Sequence, residues 1–446
     1  MIKKEFIVLG AGVTGLSAAA AIGSSCMVIE KTDRAGGLVK THCFDGYWFD
    51  HVLHILHFRD AAIQEKITTL LAGVLKPCPP IAWIETTAGL TLYPFQLNLG
   101  GLDEQTCINC INDYAAVYFN SYKKAPANYK LFLEHSFGKT MCEIFYFPYN
   151  NKQYKFPLEE IAVDKILWNL LRPTFTDILQ GAFNPNVIRQ AYNSNAFYPV
   201  PAKNASKRGM ELLPIALAEK VTNLELNTAV TKVDEKRRII YTISNGIEEQ
   251  YSYHEQFLST IPLPSLIEKC VHVPAVLKSK MDRLHYTKVM LVALCVKGER
   301  PQSPGHWRYY TDPAIVFTRL IFMTEFDPFS APENGWGLLI EISCPRNDTV
   351  DETAMITVAV KQAKELNVIK EEDSILSIHH WYADPAYVIF THETQAITEE
   401  CHAWLAKYGI TSSGRYGRWE YSSMYQNIRD GLAWAGQFSK SATHNE

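Results

Sequence analysis

The sequence predicts an α/β fold in which a Rossmann-like nucleotide-binding domain carries a mixed β-sheet domain and a helical insertion. Three observations predict this class. A glycine turn joins a short apolar strand to a helix at the N-terminus, a tyrosine-rich helical pattern covers residues 103–140, and strand patterns dominate from about residue 263 to 380. A chain of 446 residues is long enough for two or three packed domains.

The first 50 residues carry a dinucleotide-binding pattern. An apolar run at residues 6–9 leads into Gly10-Ala11-Gly12-Val13-Thr14-Gly15, and a second apolar run ends on Glu30, which lies 20 residues after Gly10. The glycines of this pattern allow a tight turn, a close approach of backbone amides to a pyrophosphate, and close packing of the helix on the strand. The acidic residue accepts hydrogen bonds from a ribose hydroxyl. We expect nucleotide contacts from Gly10, Gly12, Thr14, Gly15, Glu30 and Lys31.

A second glycine loop follows directly. Asp33-Arg34-Ala35-Gly36-Gly37-Leu38 comes before Tyr47-Trp48-Phe49-Asp50. This resembles the D/E-R-x-G-G loop of flavoproteins of the glutathione-reductase type, in the branch that contains amine oxidases, protoporphyrinogen oxidases and UDP-galactopyranose mutases. The resemblance implies a glutathione-reductase-type Rossmann-like FAD-binding domain, with FAD as cofactor and further contacts from Gly36, Gly37 and Leu38.

Composition narrows the classes of partner. Hydrophobic residues make up 47% and charged residues 20% of the chain, as in ordinary globular proteins, and the net charge of −4 gives no sign of a nucleic-acid partner. No apolar run is long enough for a membrane span, and the N-terminus leads straight into the first strand, so we expect a cytoplasmic protein without a signal peptide. Cys107 and Cys110 form a lone CxxC, which predicts no metal site. The sequence leaves the oligomeric state open, a homo-oligomer included.

His51, His54 and His57 recur at a spacing of three directly after the glycine loops. Such spacing on a helix is compatible with a metal face, but the position favours a segment that lies along the flavin ring. The mutases carry F-D-x-G-G-H here. His54 matches their histidine, whereas Val52 and Leu53 replace both glycines. The resemblance implies a catalytic role for His54 in shaping the flavin pocket, in a loop less mobile than that of the family.

Two segments of the first half resemble mutase signatures. Residues 93–99 (Tyr-Pro-Phe-Gln-Leu-Asn-Leu) resemble P-Y-P-F-Q-x-N-L, and residues 145–154 match F-x-x-P-Y-N-x-K-x-W, with an arginine following at the family's distance. Read without the family, they are an edge strand and an aromatic-rich insertion that caps a flavin domain. A surface ion pair is the alternative for the arginine. The resemblance places in the substrate cleft Gln96, Tyr149, Asn150 and Arg172.

The strand-rich half contains His306-Trp307-Arg308-Tyr309-Tyr310, with Arg319 ten residues beyond Tyr309. The mutases carry W-x-Y and then an arginine at this separation, and both face the diphosphate of a sugar nucleotide. An arginine fork suits a diphosphate because its planar donors can bond two oxygens at once. An arginine on a solvent-facing sheet surface is the alternative interpretation.

The remaining assignments concern two later stretches of the sequence. Residues 224–233 alternate like a strand that touches the adenine near Val230, and Gly414-Arg415 to Tyr421 resembles a closing G-R-x-G-x-x-x-Y loop before a final helix. The paired glycines expected near residue 209 are reduced to Gly209, and Tyr425 stands where the mutases have asparagine. The resemblance implies cofactor contacts from Val230, Gly414, Arg415, Tyr421 and Gln426, and substrate contacts from Tyr387 and Tyr421.

These assignments divide the chain into five segments. They are a first FAD-binding segment (1–95), a helical cap and substrate insertion (96–195), a second FAD-binding segment (196–262), a mixed-sheet substrate domain (263–385) and a closing FAD-binding segment (386–446).

Three functions are compatible with the sequence. The resemblance implies an FAD-dependent enzyme acting on a nucleotide sugar, a UDP-galactopyranose-mutase-like isomerase of pyranose and furanose rings. That reaction uses the N5 atom of reduced FAD as nucleophile, with NADPH or NADH as a candidate reductant. The altered glycine loops favour the alternative, an FAD-dependent oxidoreductase of the amine oxidase or protoporphyrinogen oxidase type acting on an amine or apolar substrate. A flavoprotein that binds without catalysis is the third. The catalytic set would be His54, Arg172 and Arg319, and the substrate set Gln96, Tyr149, Asn150, Arg172, Trp307, Tyr309, Arg319, Tyr387 and Tyr421.

Overall fold

A computed structural model describes residues 1–120, 125–163, 170, 172–184, 195–302 and 304–438. The strands are, in chain order, β1 Ile2–Leu9, β2 Cys26–Ile29, β3 Thr41–Phe44, β4 Tyr47–Asp50, β5 Leu75–Pro77, β6 Ala82–Thr86, β7 Gly89–Leu92, β8 Phe197–Pro199, β9 Leu224–Glu225, β10 Thr228–Asp234, β11 Ile239–Ser244, β12 Ile247–Ser259, β13 Tyr286–Lys297, β14 Trp307–Tyr310, β15 Arg319–Phe322, β16 Gly335–Pro345, β17 Ser374–Val388 and β18 Ile410–Ser412.

The helices alternate with these strands and cluster between β7 and β8. They are α1 Val13–Ile22, α2 Ala61–Leu70, α3 Glu104–Phe119, α4 Tyr129–Phe137, α5 Lys139–Met141, α6 Phe147–Tyr154, α7 Phe175–Phe183, α8 Leu212–Ala218, α9 Leu263–Lys269, α10 Ala275–Lys278, α11 Met323–Phe326, α12 Glu352–Glu365, α13 Thr394–Ala406, α14 Gly414–Gly417 and α15 Met424–Gly436. In the described part of the chain, no helix has the length and apolar character that crossing a membrane requires.

The first sheet confirms the Rossmann-like domain. Its order is β10-β11-β12-β1-β2-β9, and β18 also pairs with β12. The apolar run of β1 is central: Ile7 pairs in parallel with Met27 of β2 on one side and with Phe257 of β12 on the other. Strands buried on both faces are apolar throughout, which is why residues 6–9 carry no alternation.

The second sheet is mixed, as the sequence predicts. Its order is β17-β13-β16-β15-β14-β6-β7; the pairs are antiparallel except for β14 with β6. Strands β6 and β7 fall within the segment 1–95 that the sequence assigns to FAD binding, so this segment contributes to both sheets.

The helical insertion consists of α3 to α7 and packs on the segment that follows β7. Phe95 is buried and stacks on Phe145, with ring centroids 4.9 Å apart. On the other side of this segment, a Cβ on Gly181 of α7 would lie 2.3 Å from the Leu97 carbonyl oxygen, so the helix and the segment touch closely. These two contacts hold the insertion against residues 95–97, the segment that carries Gln96.

Candidate cofactor and substrate site

The first glycine turn has the geometry that a bound pyrophosphate needs. Gly10 has a φ of +100°, and a Cβ on Gly15 would lie 2.0 Å from the Gly10 carbonyl oxygen, so both positions require glycine. A Cβ on Gly12 would meet no atom within 4 Å. The space beside Gly12, at the start of α1, is therefore open to a ligand.

Glu30 lies at the end of β2 and is tied to the turn. Its Oε2 accepts from the Ala11 backbone N–H at 2.9 Å, and its Oε1 accepts from the backbone N–H and the hydroxyl of Thr32. The strand that carries Val230 runs beside it, because the Thr228 N–H donates to the Glu30 carbonyl oxygen at 2.9 Å. Lys31 is exposed. The predicted ribose and adenine contacts are thus brought to one edge of the first sheet.

The second glycine loop lies directly against the first. The Gly36 N–H donates to the Ala11 carbonyl oxygen at 2.8 Å, and a Cβ on Gly37 would lie 3.4 Å from the Gly12 Cα. Gly36 and Gly37 have φ values of +130° and +59°. Leu38, next in the chain, is half-buried against the core. This set fits a dinucleotide that crosses from one loop to the other.

A buried hydrogen-bond network centred on Asp50 lies where the chain leaves the second glycine loop. The carboxylate accepts from the Thr41 hydroxyl, the Tyr198 hydroxyl and the Met210 N–H at 2.8–3.0 Å. Burial raises the pKa of Asp50 to about 6, although these hydrogen bonds oppose the shift. A Cβ on Gly209 would lie 2.5 Å from the Thr41 Oγ1, so the one glycine that the sequence retains here is sterically required.

The closing loop packs on the first helix through one asparagine that sequence reasoning missed. Asn427 Oδ1 accepts from the Thr14 hydroxyl at 3.3 Å and from the Arg415 backbone N–H at 2.7 Å. A Cβ on Gly414 would lie 2.7 Å from the Thr14 Oγ1. The side chain of Gln426 instead forms the capping box at the start of α15. The structure therefore joins Thr14, Gly414 and Arg415, and gives Gln426 a local role.

The histidine segment is held at both ends. The Trp381 indole donates to the His51 carbonyl oxygen at 2.7 Å, and Leu56 exchanges two backbone hydrogen bonds with Phe197. The Nδ1 of His54 lies 2.6 Å from the Val52 carbonyl oxygen, which can only accept, so Nδ1 carries the proton. Burial, together with the charges of two nearby arginines (Arg415 and Arg319), lowers the pKa of His54 to about 4. His54 is therefore a neutral imidazole at pH 7.

Arg319 and a group of tyrosines lie together next to this segment. Tyr309 pairs directly with Arg319 across β14 and β15, and the guanidinium carbon is 5.9 Å from the ring centroids of both Tyr309 and Trp307. The Tyr149 ring meets Tyr309 edge to face at 5.1 Å. Burial raises the pKa values of further members of the group, so their hydroxyls stay protonated and can donate hydrogen bonds: Tyr149, Tyr387 and Tyr421.

Glu341, which sequence reasoning missed, occupies half of the Arg319 fork. It lies opposite Arg319 on β16 and accepts from Nε at 2.8 Å and from Nη2 at 2.6 Å, with the two side chains 4% and 14% exposed. Burial disfavours the charged guanidinium, but the Glu341 carboxylate more than offsets this and raises the pKa of Arg319. Within the described residues Nη1 makes no hydrogen bond, so one edge of the guanidinium remains for a ligand.

Three predicted substrate residues are engaged elsewhere. The amide oxygen of Gln96 accepts from the Tyr146 hydroxyl at 3.0 Å, and the amide nitrogen of Asn150 donates to the Tyr146 carbonyl oxygen at 2.6 Å. Arg172 is exposed and donates twice to the Ser136 hydroxyl on α4, with its guanidinium 5.3 Å from the Phe132 ring. The contacts of Arg172 are thus with the helical insertion, whereas those of Arg319 are with the second sheet.

Arg415, predicted to bind the cofactor, reaches this group as well. Its guanidinium carbon is 5.0 Å from the Tyr421 ring centroid, and Nη1 donates to the Ser422 carbonyl oxygen at 3.2 Å. Its backbone N–H is held by Asn427, as described above, so the residue links the closing loop to the tyrosine group. Arg415 therefore lies between the predicted dinucleotide edge and the tyrosine group.

Comparison with known proteins supports the Rossmann-like domain and the fold of the whole chain. Residues 8–71 match the family model of a NAD(P)-binding Rossmann-like domain. The structure superimposes on reduced UDP-galactopyranose mutase with a TM-score of 0.88 and 21% sequence identity, over 100% of this chain and 95% of the other.

Two other solved structures share the fold at greater distance. A putative protoporphyrinogen oxidase from Exiguobacterium matches with a TM-score of 0.71 and 14% identity, over 98% of this chain and 99% of the other. A putrescine oxidase bound to putrescine matches with a TM-score of 0.61 and 14% identity, over the same shares. The resemblance that the sequence predicts is confirmed at the level of the fold: this chain has the fold of UDP-galactopyranose mutase, which the two oxidases also share.

Proposed function

We propose that this protein is an FAD-dependent enzyme that acts on a nucleotide sugar, as a pyranose–furanose isomerase similar to UDP-galactopyranose mutase. The observation that carries the proposal is the largely buried Arg319 beside tyrosines whose raised pKa values keep them protonated, next to the predicted dinucleotide-binding edge. A guanidinium edge and phenol hydroxyls are donors that a diphosphate accepts. The fold of the reduced mutase, over almost the full length of both chains, supports the same reaction.

One set of residues would bind the cofactor and another set would bind the substrate. The glycine loops, Glu30 and the closing loop would hold FAD, which when bound and reduced supplies the nucleophile, so that no side chain has to act as one. Nη1 of Arg319 would bond the diphosphate, and Tyr309, Tyr387 and Tyr421 would donate to its oxygens. His54 is neutral and donates through Nδ1, which leaves its Nε2 as a hydrogen-bond acceptor.

The test has two parts, each done before and after reduction with dithionite: an anaerobic titration of the FAD-loaded protein with UDP and UDP-galactose, and a turnover assay with UDP-galactofuranose. We expect nucleotide to shift the flavin absorbance spectrum, and UDP-galactofuranose to be consumed only by the reduced protein. Nucleotides that leave the spectrum of both forms unchanged would overturn the proposal.

A double variant and a matched control test whether Arg319 binds the nucleotide. Arg319→Met with Glu341→Leu removes both members of the buried ion pair, so no charge is left buried without a partner. Loss of the charge-assisted contacts should weaken UDP binding by about 2–5 kcal/mol, roughly 30-fold or more, at unchanged FAD content. Arg308→Ala is the matched control, because Arg308 lies on β14 next to Tyr309 but pairs with Glu85. Equal UDP affinity of the double variant and the wild type would remove Arg319 from the site.

A second candidate function is an FAD-dependent oxidoreductase acting on an amine or apolar substrate. The observation that favours it is charge: Glu341 already neutralises Arg319, and the contacts of Arg172 are with Ser136 and Phe132. Aromatic surroundings with little net charge suit an apolar donor better than a diphosphate. Rapid reoxidation of the reduced flavin in air, with no response to nucleotides, would select this function, and amines would then be screened.

A further inference from the structure

Lys152 is a buried lysine on α6, in the helical insertion. It is 6% exposed, and its Nζ donates to the carbonyl oxygens of Tyr310 and Asp312, each at 2.9 Å. Tyr310 ends strand β14, and Asp312 follows it by two residues. Across the described residues, Lys152 forms no ion pair with a carboxylate, so neutral carbonyl groups alone hold its ammonium.

This arrangement is unfavourable for the lysine by itself. An ammonium group taken out of water loses solvation that two carbonyl groups replace only in part. Burial and the neighbouring charge of Lys155 lower the pKa of Lys152 to about 7, with Asp312 opposing the shift. A methionine would occupy the same volume without this penalty. The contact to the end of β14 is therefore the feature that an apolar residue could not provide.

The two elements joined by Lys152 are two walls of the tyrosine group. Tyr149 lies one helical turn before Lys152 on α6, and Tyr309 lies next to Tyr310 on β14. The Tyr149 and Tyr309 rings meet edge to face at 5.1 Å, and Tyr309 is the cross-strand partner of Arg319. Any shift of the β14 end relative to α6 would change this separation directly.

We propose that Lys152 is a positioning residue of the substrate pocket: its side-chain nitrogen, which donates to both carbonyl groups, fixes the end of β14 to α6 and so sets the distance between Tyr149 and Tyr309. This inference rests on the proposed function, because it takes the tyrosine group as the place where the substrate binds. Lys152 contacts neither glycine loop, so its effect is on the substrate and leaves FAD binding intact.

The experiment compares Lys152→Met, Lys152→Arg and the control Lys155→Met in the FAD-loaded protein. Lys155 directly follows α6 and is exposed, so its substitution removes a nearby charge without breaking the carbonyl contacts. We expect Lys152→Met to keep its FAD and to raise both the UDP dissociation constant and KM for UDP-galactofuranose about tenfold, at nearly unchanged kcat. Lys152→Arg retains a cation with several donors and should recover most of the affinity.

Amide hydrogen exchange of the same proteins separates this inference from the proposed function. If the wild type binds no UDP, the proposed function fails, and the contact is then judged by exchange: faster exchange at both 147–154 and 307–312 in Lys152→Met, with the glycine loops unchanged, supports it. Unchanged exchange in these two segments overturns it. Where UDP does bind, an unaltered dissociation constant in Lys152→Met, or an equal loss in Lys155→Met, also overturns it.

Discussion

Replacing Glu341 by glutamine tests how much the ion pair between Arg319 and Glu341 contributes to the free energy of unfolding. The substitution removes the negative charge, and its amide can accept from one guanidinium N–H while its own NH2 faces the other. One of the two short contacts at 2.6 and 2.8 Å is therefore lost, and Arg319 stays buried without a counter-charge. Removal of one partner of a buried pair costs about 3–5 kcal/mol, and the 14% exposure of Arg319 argues for the lower end, about 3 kcal/mol.

The assay is equilibrium urea unfolding at saturating FAD, followed by tryptophan fluorescence. The double variant Arg319→Met with Glu341→Leu is the control and should unfold within about 1 kcal/mol of the wild type, because apolar groups then replace both charges. A loss below about 0.5 kcal/mol in Glu341→Gln would refute the reasoning. It would show that solvent reaches the pair and screens it, as on a protein surface.

Three further perturbations concern the cofactor edge and the histidine segment. Asp50 has a folded pKa of about 6 against 3.8 when unfolded, so its folded state binds the extra proton between these values. The stability it contributes should therefore fall by about 2 kcal/mol as pH rises from 4 to 6; thermal melting against pH should show this fall in the wild type and a flatter profile in Asp50→Asn. Gly209→Ala should lower the free energy of unfolding by about 1–3 kcal/mol, because φ is +75° and the Thr41 hydroxyl obstructs a Cβ; a melting temperature equal to that of the wild type would contradict this. His54→Ala should alter the flavin absorbance but not the pH profile of UDP binding between pH 5.5 and 8, since His54 stays neutral there; a wild-type inflection near pH 6.5 that the variant lacks would count against a neutral His54.

The cofactor edge could be predicted from the sequence because its signals are local. Gly10, Gly12 and Gly15 lie within six residues; the positive φ of Gly10 and the close packing at Gly15 require glycine, and Gly12 lies beside open space. The strand, turn and helix around them follow the same logic, and the structure confirms both sheets. The sequence did not predict that β6 and β7 belong to the second sheet. The pairing of β6 with β14 joins residues more than 200 positions apart and leaves no local pattern in the sequence.

The substrate side was predicted less completely because its partners come from different strands. Glu341 is a lone charged residue in the apolar run of β16, and a single buried charge signals a buried counter-charge somewhere in the fold. That signal was present in the sequence, but it does not indicate which arginine forms the ion pair with Glu341. Arg172 and Arg319 have the same chemistry, and only the cross-strand pairing of β15 with β16 assigns the carboxylate to Arg319.

Charge sets how a diphosphate would be accommodated in this site. Glu341 cancels the charge of Arg319 at short range, which leaves Arg415 as the other arginine beside His54. A nucleotide diphosphate brings more negative charge than one guanidinium neutralises, so the rest has to be met by neutral donors. Partly buried tyrosines are suited to this, because loss of solvation raises the pKa values of Tyr149, Tyr387 and Tyr421 and keeps each phenol protonated. Since neutral donors act only at hydrogen-bond distance, the separation of the pocket walls matters more here than in a site built from arginines alone, and UDP affinity should respond more to Lys152→Met than to added salt.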